Sequence, residues 1–131
     1  MTAERARGEG LPVSLRMVSP AQVRAQLERR EAARREAGER RASALRARLP
    51  AMAAALRAHG AARVVLFGSL AAGTPTSASD VDLAVEGLPP ERFFAALAEV
   101  MKLAACPVDL VRLEEAPASL TERIAAEGKS L

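Results

Sequence analysis

The sequence predicts a small α/β domain preceded by a long basic helical arm, and three observations carry that expectation. Up to His59 the chain is dominated by Ala, Arg and Glu. After His59-Gly60, a helix-stop pair, it changes to short apolar runs separated by turn and helix-start signals. The order from there is strand, short helical turn, strand, helix, strand, helix, which suits helices packed on a small sheet. With 131 residues there is room for one domain and an appendage. Half the residues are apolar, which excludes disorder throughout.

The front of the chain has two parts. Residues 1–19, with Gly8, Gly10 and Pro12, are expected to be poorly ordered. Within them Leu11, Val13, Leu15 and Met17 alternate as in a short edge strand, and Met17 offers an alternative start. Residues 20–48 form the arm. Ser19-Pro20-Ala21-Gln22 is a helix start in which Ser19 caps, Pro20 fits the first turn and Gln22 completes a capping box. From Glu28 to Arg41 only Ala32, Ala33 and Ala37 are apolar, so that stretch is polar nearly all round. Gly38 weakens the helix by roughly 1 kcal/mol relative to Ala, and Pro50 is expected to kink it or begin a second helix. A helix from Pro20 to Arg48 would be about 43 Å long, against a body of about 30 Å. It should overhang, as a docking arm for another chain, or fold back at Gly38.

The body is residues 49–131. Leu45, Leu49, Met52 and Leu56 form an apolar stripe at helical spacing that should meet the sheet. Arg63 to Phe67 is the first strand and Val81 to Glu86 the second. Pro89-Pro90-Glu91 starts a helix expected to bury Phe93, Phe94, Leu97, Val100 and Met101. Val108 to Leu113 is the third strand. Ser119 with Glu122 suggests a second capping box, opening a helix that carries Leu120 and Ile124 and stops at Gly128.

Composition excludes several functions. Residues 1–60 hold 13 Arg against six Glu, whereas residues 61–131 hold six basic against ten acidic groups. The basic character therefore belongs to the arm. Phe67, Phe93 and Phe94 are the only aromatics, too few for a base-stacking surface, which argues against direct nucleic-acid binding. The single Cys106 and single His59 exclude an internal disulfide and a Cys/His metal centre. No apolar run approaches the roughly 18–20 residues of a membrane span, and no apolar signal segment opens the chain; the cytoplasm is the expected compartment.

The chemistry concentrates in Leu66-Phe67-Gly68-Ser69-Leu70-Ala71-Ala72-Gly73 and Ser79-Asp80-Val81-Asp82-Leu83. Gly68, lacking a Cβ, lets a phosphate approach the backbone, and Ser69 offers a hydroxyl and an N–H at the start of the next short helix. Asp80 and Asp82 are two apart on a strand, so their carboxylates share a face while Val81, Leu83 and Val85 take the other. Two such charges call for a cation between them. Hard oxygen ligands suit Mg²⁺, which takes one or two carboxylates plus substrate phosphates. Asp109, the lone acid of the third strand, is placed to join that face.

A Gly-Ser pair, ten residues, an Asp-x-Asp and a later lone Asp in an apolar strand resemble the DNA polymerase beta-like nucleotidyltransferase superfamily, and the short length resembles its minimal nucleotidyltransferase (MNT) branch, of the MntA antitoxin type. The resemblance spans about residues 45–130, through Val64–Ser69, Ser79–Leu83 and Leu120, Ile124 and Glu127-Gly128. It implies a small mixed-sheet fold with flanking helices. Asp80, Asp82 and Asp109 would be the catalytic, metal-holding carboxylates, with Asp109 also accepting the proton of the attacking hydroxyl. Gly68 and Ser69 would bind the terminal phosphates. Mg²⁺ and ATP would be cofactor and nucleotide donor, and AMP would pass to a hydroxyl with release of pyrophosphate. Relatives of this size act as antitoxins that adenylylate a tyrosine of a HEPN-type ribonuclease toxin, so the expected partner is such a toxin or another neighbouring-gene product, with a homo- or hetero-oligomer formed through the arm. The family's loop reads Gly-Ser-x-Ala-Arg-Gly, and here the arginine position is Ala72. Losing a guanidinium beside a triphosphate forfeits about 1.5–3 kcal/mol if it made a charged hydrogen bond; Arg63 is a candidate replacement. Two alternatives stay open: a binding module of this fold with impaired catalysis, and the catalytic half of a two-chain small-molecule nucleotidyltransferase.

Overall fold

The computed structural model describes residues 19–76, 78 and 80–131. The alternating Leu11–Met17 stretch, the alternative start, and Ser77 and Ser79 lie outside the described residues. Helix α1 (Pro20–Ala58) is followed by β1 (Arg63–Phe67), the short α2 (Gly68–Ala72), β2 (Val81–Glu86), α3 (Phe93–Ala104), β3 (Val108–Arg112), α4 (Ala118–Glu127) and β4 (Lys129–Ser130). Single 3₁₀ turns, Pro90–Arg92 and Leu113–Glu115, precede α3 and α4. No described helix is long and apolar enough to cross a membrane.

Contacts divide the chain into two compact units, the first ending at Arg34 and the second running from Arg35 to Leu131. In the first, the capping box forms as the sequence suggests: Gln22 N donates to Ser19 Oγ (3.1 Å) and Ser19 N to Gln22 Oε1 (2.7 Å). The second begins earlier than the apolar stripe indicates, because Gly38 and Ala42 are buried along with Leu45, Leu49, Met52 and Leu56. Helix α1 runs through both Gly38 and Pro50 without a break. Pro50 is exposed, so the carbonyl that loses its donor there can turn to water.

The sheet of the second unit has the order β3-β2-β1-β4. β1 is antiparallel to β2 and to β4, and β2 is parallel to β3, with α3 as the crossover helix. One face carries the main core: Leu45, Met52 and Leu56 of α1 pack with Val64, Leu66, Val81, Leu83 and Val85 of the strands and Ala96, Val100 and Ala104 of α3. The other face carries a smaller cluster in which Ile124 of α4 meets Val65 and Ala84, flanked by Phe67, Leu113 and Leu120.

Two helix readings need correction. In α3 the buried side is Ala96, Val100 and Ala104, spaced four apart, while Phe94 is 78% exposed and Met101 41%. Small residues let the helix lie close to the sheet; Phe93 and Leu97 pack, partly buried, against the same core, whereas Phe94 and Met101 are turned outward. In α4 no second capping box forms: the helix starts at Ala118, Leu120 N and Thr121 N both donate to the Pro117 carbonyl, and Ser119 lies inside the first turn. Several arginines of α1 serve the fold by closing carbonyls at element ends. Arg48 donates to the last carbonyl of α3, Ala104 O (2.6 Å), and Arg57 to Leu131 O (2.6 Å).

Candidate active site

The chain leaves β1 at Gly68 with φ +78°, a conformation that costs an L side chain about 1–2 kcal/mol. A Cβ at Gly68 would also run into the Asp82 carboxylate, whose Cγ is 2.9 Å from that position. Glycine is therefore required twice, once by the turn and once by the acid lying over it. The turn continues into α2, whose N-cap is Phe67 and carries no side-chain cap bond. Ser69, partly buried, stands inside that helix and is not its cap.

Strand alternation aims the acids. Val81, Leu83 and Val85 are buried in the main core, so Asp82 points to the α4 face. Its register partners are Phe67 on one side and Asp109 on the other. Asp109, exposed, thus stands beside Asp82 on the same face. Asp80 precedes β2 and is exposed, with Oδ1 3.7 Å from Arg41 Nη2 of α1. Burial pushes the Asp82 carboxyl above its ordinary pKa, and the negative charges of Asp109 and then Asp80 push it further. The three acids named from the sequence are therefore within electrostatic reach of one another.

Those carboxylates do not close into a preformed cage: among the described residues no three His, Cys, Asp or Glu side chains converge on a shared ion position. The donor set nevertheless fits a hard divalent cation. Mg²⁺ needs only one or two carboxylates when phosphates and water complete its shell, and the charge crowding at Asp82 is what a cation relieves.

A cavity of about 230 Å³ opens beside Gly68 and Asp82, walled also by Phe67, Ile124, Arg123 and Glu127. Nothing in the motifs pointed to Arg123, because the seating of α4 over the carboxylate face depends on the burial of Ile124. Arg41 and Gly38 were missed as well. Gly38 is where the loop after α2 crosses α1, and a Cβ there would lie 2.5 Å from Pro75 O. The suggested replacement for the missing loop arginine is ruled out by register: Arg63 pairs with Glu86 at the far end of β1 from Phe67 and Asp82. A larger groove of about 640 Å³, walled by Leu49, Ala53, Leu66 and Leu70, lies against the main-core side and holds none of the three acids.

Comparison with known proteins places this geometry in a family. Residues 54–131 match the family described as polymerase beta, nucleotidyltransferase. A solved minimal nucleotidyltransferase is 30% identical, with 69% of this chain and 95% of that one covered and a TM-score of 0.62. A toxin–antitoxin structure with AMP-PNP is 28% identical, with coverage of 58% and 65% and a TM-score of 0.53. The match therefore spans a little under two thirds of that relative's length. A variant of the MntA–HpeT toxin–antitoxin is also 28% identical, covering 63% and 69% with a TM-score of 0.55. No curated protein sequence matches. With that match running over more than half of the chain, this protein belongs to the polymerase beta nucleotidyltransferase family.

Proposed function

We propose that the protein is a Mg²⁺-dependent nucleotidyltransferase that moves AMP from ATP to a hydroxyl of a partner protein, and that the partner is a HEPN-type toxin it silences. The observation that carries the chemistry is the group of Asp80, Asp82 and Asp109 around the Gly68 turn, with Asp82 charge-crowded and lying over Gly68 in the wall of the cavity. The partner rests on the similarity to toxin–antitoxin structures, one of them with AMP-PNP.

In this reading Asp80 and Asp82 hold the metal and Gly68 and Ser69 receive the terminal phosphates. A bound magnesium ion would neutralise charge on the phosphates and align their oxygens. Asp109, exposed at the edge of the site, accepts the proton of the acceptor hydroxyl as its oxygen bonds to the α-phosphorus. The bond from that phosphorus to the bridging oxygen breaks, and pyrophosphate leaves with the electron pair. Asp109 is the acid for this step because it lies beside Asp82 yet faces solvent, from which an acceptor must arrive.

The test is intact mass of the neighbouring-gene protein after incubation with this chain, Mg²⁺ and ATP. A gain of one or more AMP units, absent when Asp80 and Asp82 are both changed to Asn, is the expected result. A stable complex without any gain, for each of the four common ribonucleoside triphosphates, would instead support a binding module, the reading favoured by Ala72 in the phosphate loop.

A further inference from the structure

We infer that Arg123 supplies the phosphate-binding cation that the loop lacks at Ala72; this rests on the nucleotidyl-transfer reading above. A triphosphate at Gly68 brings several negative charges to a place already crowded with carboxylates. The loop offers no cation, since Ala72 ends α2 as an exposed methyl group. Three other basic side chains are committed elsewhere: Arg63 meets Glu86 at the far end of β1, Arg46 donates to Leu70 O at 3.4 Å, and Lys129 lines the groove against the main-core side. Arg41 faces Asp80 of the site at 3.7 Å but does not line the cavity beside Gly68 and Asp82.

Arg123 is the basic residue in the wall of the cavity that also holds Gly68 and Asp82. Without it, the charged groups of that wall would be Asp82 and Glu127 alone, a surface that repels a polyphosphate. The next residue, Ile124, is 3% exposed and clamps α4 to Val65 and Ala84, which fixes the backbone from which Arg123 reaches. The guanidinium presents a planar fork matched to phosphate oxygens, so it serves from a helix on the opposite wall as well as from the loop. The chain thus keeps a cation at the triphosphate while carrying it on a different element.

The test is equilibrium titration of the full chain with ATP and, separately, AMP, both with Mg²⁺. R123A is expected to bind ATP about 10- to 100-fold more weakly, the loss of one charged hydrogen bond, and AMP within about threefold of the parent. A72R placed in the R123A background is expected to recover at least about tenfold of the ATP affinity. Arg123 is exposed, so the variants should melt with the parent. Unchanged ATP binding by R123A, or equal weakening for ATP and AMP, overturns the inference while leaving the transfer reading intact. Absence of recovery by A72R overturns the replacement of one cation by the other. A parent chain that binds no nucleoside triphosphate at all overturns the transfer reading and this inference with it.

Discussion

Two acids show how a single residue declares its role. Glu114 is a structural acid: Gly87 N donates to its Oε2 at 2.6 Å, and that bond, its own backbone N–H and then Arg112 hold its carboxyl below the ordinary range. The stability it lends is present above its ordinary pKa and is lost as pH falls through the lowered folded-state value. Asp82 is shifted the other way, by burial first and by Asp109 and Asp80 next. With a raised folded-state pKa, the unfolded chain releases its proton first as pH rises. The stability present at low pH is therefore lost as pH climbs through the folded value, and the ionised carboxylate is held at the expense of the fold. A partly buried acid crowded by two others in a cleft is a candidate for a functional role. Asp82→Asn should abolish transfer and yet make the metal-free protein more stable at pH 7, with the advantage fading below about pH 4, the ordinary carboxylate range. Thermal melts at the two pH values in the presence of a chelator measure this. An equal effect at both would show that charge crowding is not what distinguishes Asp82.

Among the elements, α1 carries the least expected result. Its glycine looks like a weak point in a polar helix, but Gly38 is buried because the backbone of Pro75 and Thr76 passes over it. Arg41, less than one turn on, faces Asp80 at 3.7 Å. The helix therefore sets the height of the loop that delivers Asp80. Gly38→Ala gains about 1 kcal/mol of helix propensity but places a Cβ 2.5 Å from a carbonyl oxygen. Backbone cannot yield as a side-chain tip does, so net destabilisation of about 1–3 kcal/mol is expected, together with slower transfer; urea unfolding measures the first. Stabilisation by about 1 kcal/mol would contradict the close approach. Elements with strong local signals were legible in the sequence: β1 and β2 match to the residue because apolar runs end at Gly68 and at Glu86-Gly87, and the Ser19 capping box forms as drawn. What escaped depends on partners far along the chain. β4 is two residues long and exists through its pairing with Val65 and Leu66. Phe94 and Met101 are expected in the core with the other apolar residues of α3, whereas Ala96, Ala104 and Val100 form the side that meets the sheet.

For the molecule as a whole, the informative boundary lies inside a continuous helix. Within the 20–48 segment read as the arm, Ala42 and Leu45 are 0% and 2% exposed and belong to the core of the second unit. Removing residues 1–34 should leave the melting of the remainder within a few degrees of the parent. Removal through Arg48 should unfold it, since truncating one buried leucine to Ala already costs about 2–5 kcal/mol. Similar melting of the two truncated chains would contradict the division. The placement of the candidate site was more legible than the arm, because Gly68, Asp80, Asp82 and Asp109 lie at or near strand ends where alternation and a positive φ leave few choices. Arg123 was not, because a helix chooses its wall only once the sheet exists. The most direct test of nucleotidyl transfer is the stoichiometry of pyrophosphate released to AMP attached, measured with ATP, Mg²⁺ and the neighbouring-gene protein. One pyrophosphate for each AMP attached, with both lost in Asp82→Asn, is the predicted result. Attachment that persists in Asp82→Asn, or pyrophosphate released with no AMP on the partner, would contradict it.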